Sequence, residues 1–508
     1  MIKIDFINTK TILLYVAIMG MALVAGAFLK EGIALVFTTF ILFSCLTGNL
    51  FRTLEAFLIW LSISNFFTGQ GYITSEFITK YLAKPAFLVF VIFLAFLSRI
   101  PSRMFKARYI VFLTVFLILT VIGSFAQLQS PLVIITLSSY YLLFLVFQAR
   151  GMKRRQYLKL LNLFVAVAVI QTIVSFLQVA ELIPPPETVM QKAGGGTFMW
   201  KAGLDDAASG TFGAASSHIT SWYAALISLF MLLMWTMTKK NTYLVFMVIS
   251  FLQFATVDSK IIMGVTVLML FYTLYYVLKE RRRFKVNVSR YLLILVLLSA
   301  GGVGFFSLWN IYYEYYGKKT GGDRTDIQSV YQNEAKETID ILFENLPDWG
   351  KFKGYQFIYN DMVENEPLQL IWGYGLQGYD SNDKQEYILA KDKPIMQLNN
   401  LTNSNSGLIS QFAYSGIVGL LLFLLTLYNW YLYNKTKVKN KYDIIKNSLL
   451  TVFLLFTFIV SFLYPILIGS IPIIVFGAII SIYSRLSYNY KIYQLIPAES
   501  IKEKKLLS

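Results

Sequence analysis

The amino-acid sequence predicts an all-α polytopic membrane protein with about 14 transmembrane helices and one large external loop that carries short helices. The chain of 508 residues is 56% hydrophobic and only 14% charged, with a mean hydropathy of +0.58, whereas soluble domains carry about 25% charged residues. Apolar blocks long enough to cross a bilayer recur along the chain. Because a bilayer interior offers no water to backbone groups, these blocks must be helices.

The apolar blocks divide the chain into three regions. Residues 1–309 hold eleven predicted spans and an external loop at 181–218, residues 310–405 form the large external loop, and residues 406–508 hold three spans and a cytoplasmic tail. The predicted spans lie near 11–29, 33–47, 54–68, 85–98, 109–125, 131–148, 157–180, 219–237, 242–257, 261–278, 291–309, 406–433, 448–466 and 471–486. In the large loop, apolar spacing predicts short helices over 329–346 and from Gly354 to about Leu370, where Trp372-Gly373 stops the second.

The basic residues indicate the orientation of the chain. The formal net charge is +17, and the Lys and Arg residues gather in the loops that follow even-numbered spans, at 99–108, 150–155, 239–240, 279–285 and 435–441. The large loop instead holds nine Lys or Arg against fifteen Asp or Glu, a net charge of −6. Since basic loops stay in the cytoplasm, both termini are expected there, and the charge requires no nucleic acid partner.

The rare residue types exclude several kinds of site. Cys45 is the only cysteine, so the chain cannot form an internal disulfide. His218 is the only histidine, which excludes a metal cluster built on histidines. No credible glycine-rich nucleotide loop is present, and we expect neither a metal nor a cofactor. Lys3 and Lys10 precede an apolar run that lacks a small-residue cleavage site, which predicts a retained first helix.

Four landmarks occur in order from about residue 205 onward. They are Gly210-Thr211-Phe212-Gly213 before a span, Asp258-Ser259-Lys260 at a span start, the stretch from Lys353 through Glu366-Pro367-Leu368 to Gly373-Tyr374-Gly375-Leu376, and Asn405-Ser406 followed by Tyr414-Ser415-Gly416-Ile417-Val418-Gly419. In this order, beside one large loop, the landmarks resemble those of the O-antigen polymerase and ligase superfamily. The resemblance covers about residues 200–420, and the first six spans match only in hydropathy.

Several positions depart from the pattern of that superfamily. Asn405 stands where ligases often have histidine, Lys353 stands where arginine is common, and Tyr414 replaces a glutamate. A mechanism that depends on histidine at 405 is therefore excluded. Because the polymerase branch varies at these positions, the resemblance favours a bacterial O-antigen or capsular polysaccharide polymerase over a ligase.

The resemblance implies a glycosyltransferase of the bacterial cytoplasmic membrane that uses an undecaprenyl-pyrophosphate-linked oligosaccharide. Such a site needs cations for the pyrophosphate and a general base for the attacking hydroxyl. The outward-facing substrate-binding candidates are Lys201, Lys260, Arg324, Lys353 and Asn405. The candidate bases are Asp205, Asp206 and His218. Candidate protein partners are a chain-length regulator and a flippase.

Bland alternatives exist for each of these residues. Arg324, between Asp323 and Asp326, also suits a surface salt bridge, and Lys260 suits a side chain that reaches the membrane interface. Acidic pairs in loops are commonly solvated turn residues. For the whole chain, the alternatives are a ligase or other lipid-linked-sugar glycosyltransferase, a lipid-linked oligosaccharide flippase and a membrane scaffold. The long external loop and the near absence of charge within the spans argue against a flippase.

Overall fold

The computed structural model describes thirteen α-helices, in residues that are mostly helical and contain no strand. The described residues are 7–69, 72–75, 78, 82, 86–126, 142–143, 145–180, 182–183, 210–212, 217–256, 260–279, 363, 367–373, 407–437, 441–463 and 478–483. The helices are α1 Thr9–Leu29, α2 Gly32–Leu46, α3 Leu50–Gly69, α4 Ala86–Phe96, α5 Ser102–Phe105, α6 Arg108–Ala126, α7 Arg154–Val179, α8 Ser217–Thr238, α9 Asn241–Leu252, α10 Lys260–Lys279, α11 Pro367–Trp372, α12 Gly407–Asn434 and α13 Lys441–Leu463.

These helices confirm a mostly helical protein and include candidate membrane-spanning helices. Among the described residues, five stretches are long and apolar enough to cross a bilayer, namely Thr9–Leu29, Leu50–Thr68, Arg154–Gln178, Ile219–Thr236 and Ser415–Asn434. Shorter apolar helices coincide with six further predicted spans. The predicted span at 291–309, most of those at 131–148 and 471–486, and the predicted loop helix at 329–346 lie outside the described residues. Fourteen spans therefore stay a prediction.

Two helices begin four or more residues earlier than the hydropathy pattern predicts, because charged residues in their first two turns have partners. In α3, Arg52 donates to Glu55 at 2.7 Å, and Tyr15 of α1 donates to the other oxygen of Glu55 at 2.5 Å. In α13, the buried Asp443 accepts a hydrogen bond from Thr436 at 3.2 Å. Satisfied charges can be buried within a helix, so the helices continue through them.

The centre of the bundle is formed by α3, α7 and α8. The apolar stretch of α8 is 94% buried, whereas that of α1 is only 22% buried. The Trp222 indole of α8 stacks on Phe453 of α13, with ring centroids 5.6 Å apart. Helices α6 and α12 pack on each other around a separate small cluster of Leu113, Phe116 and Phe423. Beyond Lys10, the surface of α1 that its neighbours leave exposed is apolar, as expected of a helix that faces lipid.

One end of the bundle collects the basic loops. The backbone N–H of Asn8, before α1, donates to the Asn162 side chain in the third turn of α7 at 2.8 Å. The N–H of Arg150 donates to the Arg99 carbonyl, after α4, at 2.9 Å. Tyr109 at the start of α6 packs on Tyr433 at the end of α12, with centroids 5.2 Å apart. These contacts bring the basic residues near 99–108, 150–155 and 435–437 to the same end, as the charge pattern predicts.

At the opposite end of the bundle, an acidic residue links two segments of the chain. Glu31, in the turn between α1 and α2, accepts hydrogen bonds from the N–H of Ser75 at 2.7 Å and from the N–H and hydroxyl of Thr74 at 3.2 and 3.1 Å. The Ser75 bond, followed by the Thr74 hydroxyl bond, holds the pKa of this carboxyl below its usual value. A carboxylate therefore links this turn to the segment after α3.

The two ends are expected to lie on opposite sides of the membrane, with the basic end in the cytoplasm. In a Cys45→Ser background, Thr74→Cys should react with an impermeant maleimide in intact cells, and Lys437→Cys should react only after permeabilisation. Both positions are exposed. The measurement is labelled protein on a gel. If only Lys437→Cys reacts in intact cells, the topology is the opposite of the predicted one. If both cysteine variants react equally, the predicted number of membrane crossings between positions 74 and 437 is wrong.

Candidate functional site

The first sequence landmark, Gly210-Thr211-Phe212, is not an exposed loop but lies buried against α7. The N–H of Gly210 donates to Gln178 Oε1 at 2.9 Å, and Gln178 Nε2 donates to the Gly210 carbonyl at 3.2 Å. One glutamine amide thus pairs with both backbone groups of one residue. In an apolar bundle these groups would otherwise lack partners, at a cost of several kcal/mol each.

The next residue, Thr211, is held by a second glutamine, which lies seven residues earlier in α7. The N–H of Thr211 donates to Gln171 Oε1 at 2.7 Å, and Gln171 Nε2 donates to the Thr211 hydroxyl. That hydroxyl in turn donates to the Ser62 carbonyl of α3 at 2.5 Å. Thr211 and Gln171 are fully buried. The tract therefore joins α3 and α7 through a continuous chain of hydrogen bonds.

Glycine at 210 is required by this arrangement. Its φ of +63° lies in the left-handed region, and a Cβ atom there would stand 2.1 Å from Gln171 Oε1 and 3.3 Å from the Ser175 hydroxyl. A side chain would strain the backbone and displace the glutamine that holds Thr211. The landmark thus records a steric requirement.

The tract also fixes the start of α8. The Phe212 ring packs edge-on against Tyr223, with centroids 5.5 Å apart, and the Tyr223 hydroxyl donates to the Phe164 carbonyl of α7 at 2.7 Å. Helix α8 begins at Ser217, and His218 is its second residue. The candidate base therefore lies close in sequence to a rigid anchor.

The last landmark contains a break in α12. Gly416 has φ +61° and ψ −167°, values that lie outside the helical region and that essentially only glycine adopts. A Cβ atom at 416 would stand 2.4 Å from the carbonyl oxygen of Ile371 and 2.7 Å from the nitrogen of Gly373. A Cβ atom at Gly419 would stand 2.1 Å from that of Ser415. The backbone of residues 371–373, in the large loop, therefore packs directly against the break at Gly416.

Helix α11 carries this contact. It runs from Pro367 to Trp372 and packs against α12, and the N–H of Gly373 closes it by donating to the Gln369 carbonyl at 2.7 Å. Gly373 has φ +75°. The sequence predicted that a loop helix stops at Trp372-Gly373, and the described helix ends at Trp372. The predicted start at Gly354 lies outside the described residues.

The structure places the predicted site residues only in part. His218 and Lys260, the first residue of α10, lie at helix starts at the end of the bundle opposite the basic loops. Lys201, Asp205, Asp206, Arg324, Lys353 and Asn405 lie outside the described residues. Asp205 and Asp206 precede the anchored Gly210 by five and four residues in the sequence. A shared site for these residues stays a prediction.

Two glutamines of α7 hold Gly210 and Thr211, and neither is among the site residues that the sequence predicts. Gln171 and Gln178 are seven residues apart, so they share one face of α7. A third, Gln253 after α9, donates to the Ser175 hydroxyl at 3.5 Å and is fully buried. Two glutamines at heptad spacing inside a predicted span are a signal that could have identified this face, because polar residues within a membrane face the bundle interior.

Comparison of the chain with protein-family models, with curated proteins and with solved structures found no match.

Replacing Gly210 by alanine should destabilise the protein. The left-handed backbone alone costs on the order of 1–3 kcal/mol for a residue other than glycine, and loss of the Gln171 contacts adds to it. Thermal unfolding in detergent should give a clearly lower Tm. Gly20→Ala is the matched control, because a Cβ atom there meets nothing within 4 Å. Equal Tm values for the two variants would contradict the assigned role of Gly210.

Replacing Gly416 by alanine should release α11 from α12. Backbone atoms of Ile371 and Gly373 occupy the position of the added Cβ atom and cannot rotate away as a side chain could. Amide hydrogen exchange should therefore rise in the peptide that covers 367–373. Gly264→Ala in α10, which has open space around its Cβ position, is the control. Unchanged exchange in Gly416→Ala would show that the contact does not hold α11.

Proposed function

We propose that this protein is a polysaccharide polymerase that joins undecaprenyl-pyrophosphate-linked repeat units on the outer face of the bacterial cytoplasmic membrane. The observation that carries the proposal is steric. In the Gly-Thr-Phe landmark and in the Gly-Ile-Val-Gly landmark, glycine occupies positions where a Cβ atom would clash with neighbouring atoms. The glycines quoted for the resemblance are thus required by the fold of this chain, which supports an interpretation of the landmarks as structural features.

The position of both landmarks supports the same proposal. Gly416 precedes Tyr433 by 17 residues of α12, about 25 Å of helix, and Tyr433 belongs to the basic end. The Gly-Thr-Phe tract lies beside the C-terminal half of α7, whose N-terminus also belongs to the basic end. Both landmarks are therefore remote from the basic loops. If those loops are cytoplasmic, the landmarks lie towards the outer face, where lipid-linked repeat units are polymerised.

The proposed reaction is a glycosyl transfer. The oxygen of a nonreducing-end hydroxyl on one lipid-linked repeat unit attacks the anomeric carbon of the growing chain and forms the new glycosidic bond. The bond from that carbon to the pyrophosphate oxygen breaks, and undecaprenyl pyrophosphate leaves with the electron pair. The hydroxyl proton passes to a base. The sugar chain is thereby lengthened by one repeat unit, and no nucleotide sugar is consumed.

The residues proposed for this reaction divide by charge. A carboxylate of Asp205 or Asp206, or the imidazole of His218, accepts the proton from the attacking hydroxyl. Cationic side chains bind the pyrophosphate and stabilise the charge that develops on it as it leaves, and these are Lys201, Lys260, Arg324 and Lys353. Asn405, where ligases often have histidine, serves as a hydrogen-bonding group for the sugar substrate.

Reconstitution in lipid with purified undecaprenyl-pyrophosphate-linked repeat units tests the proposal. Wild type should produce a ladder of lengthened glycans on a gel. Arg324→Ala should slow ladder formation by roughly a hundredfold or more, as expected when a group that stabilises developing charge is removed. Lys437→Ala, which removes an exposed cation at the basic end, should leave the ladder unchanged.

The other outcomes discriminate between the function and the site. If the ladder still forms with Arg324→Ala, the polymerase function is supported but Arg324 is not part of the site. Transfer of glycan to a lipid A–core acceptor without lengthening identifies a ligase. Movement of the intact lipid-linked unit across the bilayer, with no ladder from the cognate unit, identifies a flippase and refutes the proposal.

A further inference from the structure

The large loop contains a short helix whose surface is unlike that of a loop in water. Residues 310–405 have a net charge of −6 and form the most polar part of the chain. Yet in α11 the side chains of Leu368, Ile371 and Trp372 are 71%, 41% and 50% exposed. Since exposed apolar patches on soluble surfaces mark sites of interaction, this surface calls for a partner.

The position of α11 indicates what that partner is. The Ile371 and Gly373 backbone lies against Gly416, so α11 is held beside the membrane helix α12. On α12, the residues directly after the break include Ile417, Leu421 and Leu425, four residues apart and all exposed. They share one face of that helix. Leu421 lies within one of the five stretches that are apolar and long enough to cross a membrane, so this face is in contact with lipid.

We infer that α11 is an interfacial helix that places Leu368, Ile371 and Trp372 in the acyl-chain region of the bilayer, beside the lipid-facing surface of α12. The occupant of the exposed face is hydrocarbon of the same leaflet that covers Leu421. Tryptophan suits this position, because its amphipathic ring prefers the boundary between headgroups and acyl chains. Glycine at 416 allows the backbone of α11 to approach α12 closely, so the two apolar surfaces meet.

The inference goes beyond the proposed function and does not depend on it. A scaffold or a transporter with the same contact at Gly416 would also place α11 in the leaflet. For a polymerase, it means that Gly373, at the end of α11, lies near headgroup level, where the pyrophosphate of a lipid-linked donor resides.

Site-directed spin labelling of the full chain in lipid vesicles tests this placement. In the Cys45→Ser background, a nitroxide is attached at Leu368→Cys, and its collision rates with oxygen and with a water-soluble nickel chelate are measured. Leu421→Cys provides the value for lipid and Lys437→Cys the value for water, since both positions are exposed and lie on α12 and just after it. Gln369→Cys, a half-buried position in the same helix, reports the face turned towards protein.

The expected result is that the label at 368 collides readily with oxygen and rarely with the chelate, as the label at 421 does. The label at 369 should be less mobile and less accessible to both reagents. Trp372→Cys should repeat the behaviour of 368, which guards against a local effect of one substitution. Chelate collisions at 368 that match those at 437 would place α11 in water and overturn the inference. Low collisions with both reagents at 368 and 372 would mean that protein covers this face, from another part of the chain or from a second copy, and would overturn it as well.

Discussion

A peptide segment that is not helical can lie inside a membrane bundle only if other groups satisfy its N–H and C=O groups. The Gly-Thr-Phe tract meets this constraint through two glutamine side chains, whose amides offer the donor and the acceptor of a peptide bond in the same geometry. Gln178 pairs with both backbone groups of Gly210, and Gln171 with the backbone and hydroxyl of Thr211. The entry of the chain into α8, and the relation of α7 to α3, depend on these contacts.

The contact between α11 and α12 at Gly416 is of a different physical kind. At Gly416 no side chain mediates the contact, and two backbones approach to a distance that excludes a Cβ atom. Together, the two points hold a segment before α8 and a segment of the large loop against rigid helices. Group transfer requires reacting groups to be held in one orientation, because otherwise the entropy of aligning them adds to the barrier. Long polar segments therefore need such anchors if they carry chemistry.

The sequence predicted the helical class and the position of most described helices, since twenty-residue apolar runs leave few alternatives. Its errors arise where a polar residue has a partner distant in sequence. Glu55 makes the start of α3 resemble a loop until Tyr15 and Arg52 are known to contact it. Likewise, the average hydropathy of its span gives no sign of Gln171, although this residue is hydrogen-bonded to Thr211, 40 residues away. The candidate site was predicted only as a set of residue types, and of its eight members the structure describes the location of His218 and Lys260 alone.

The burial of α3 has a consequence for how the protein is made. The apolar stretch of this helix is 83% buried, and it contains the buried Thr53, Glu55 and Ser64. Its Ser62 carbonyl accepts from Thr211, which the ribosome adds about 150 residues later. When α3 leaves the insertion machinery during synthesis, Tyr15, the partner of Glu55, is therefore already in place, but Gln171 and Thr211, which donate to the Ser62 carbonyl, do not yet exist. In the interval this part of α3 must meet lipid, water or the machinery itself. Assembly of this bundle is consequently a process in which an early, poorly apolar helix waits for later ones, with α1, the least buried of the five long apolar stretches, already beside it.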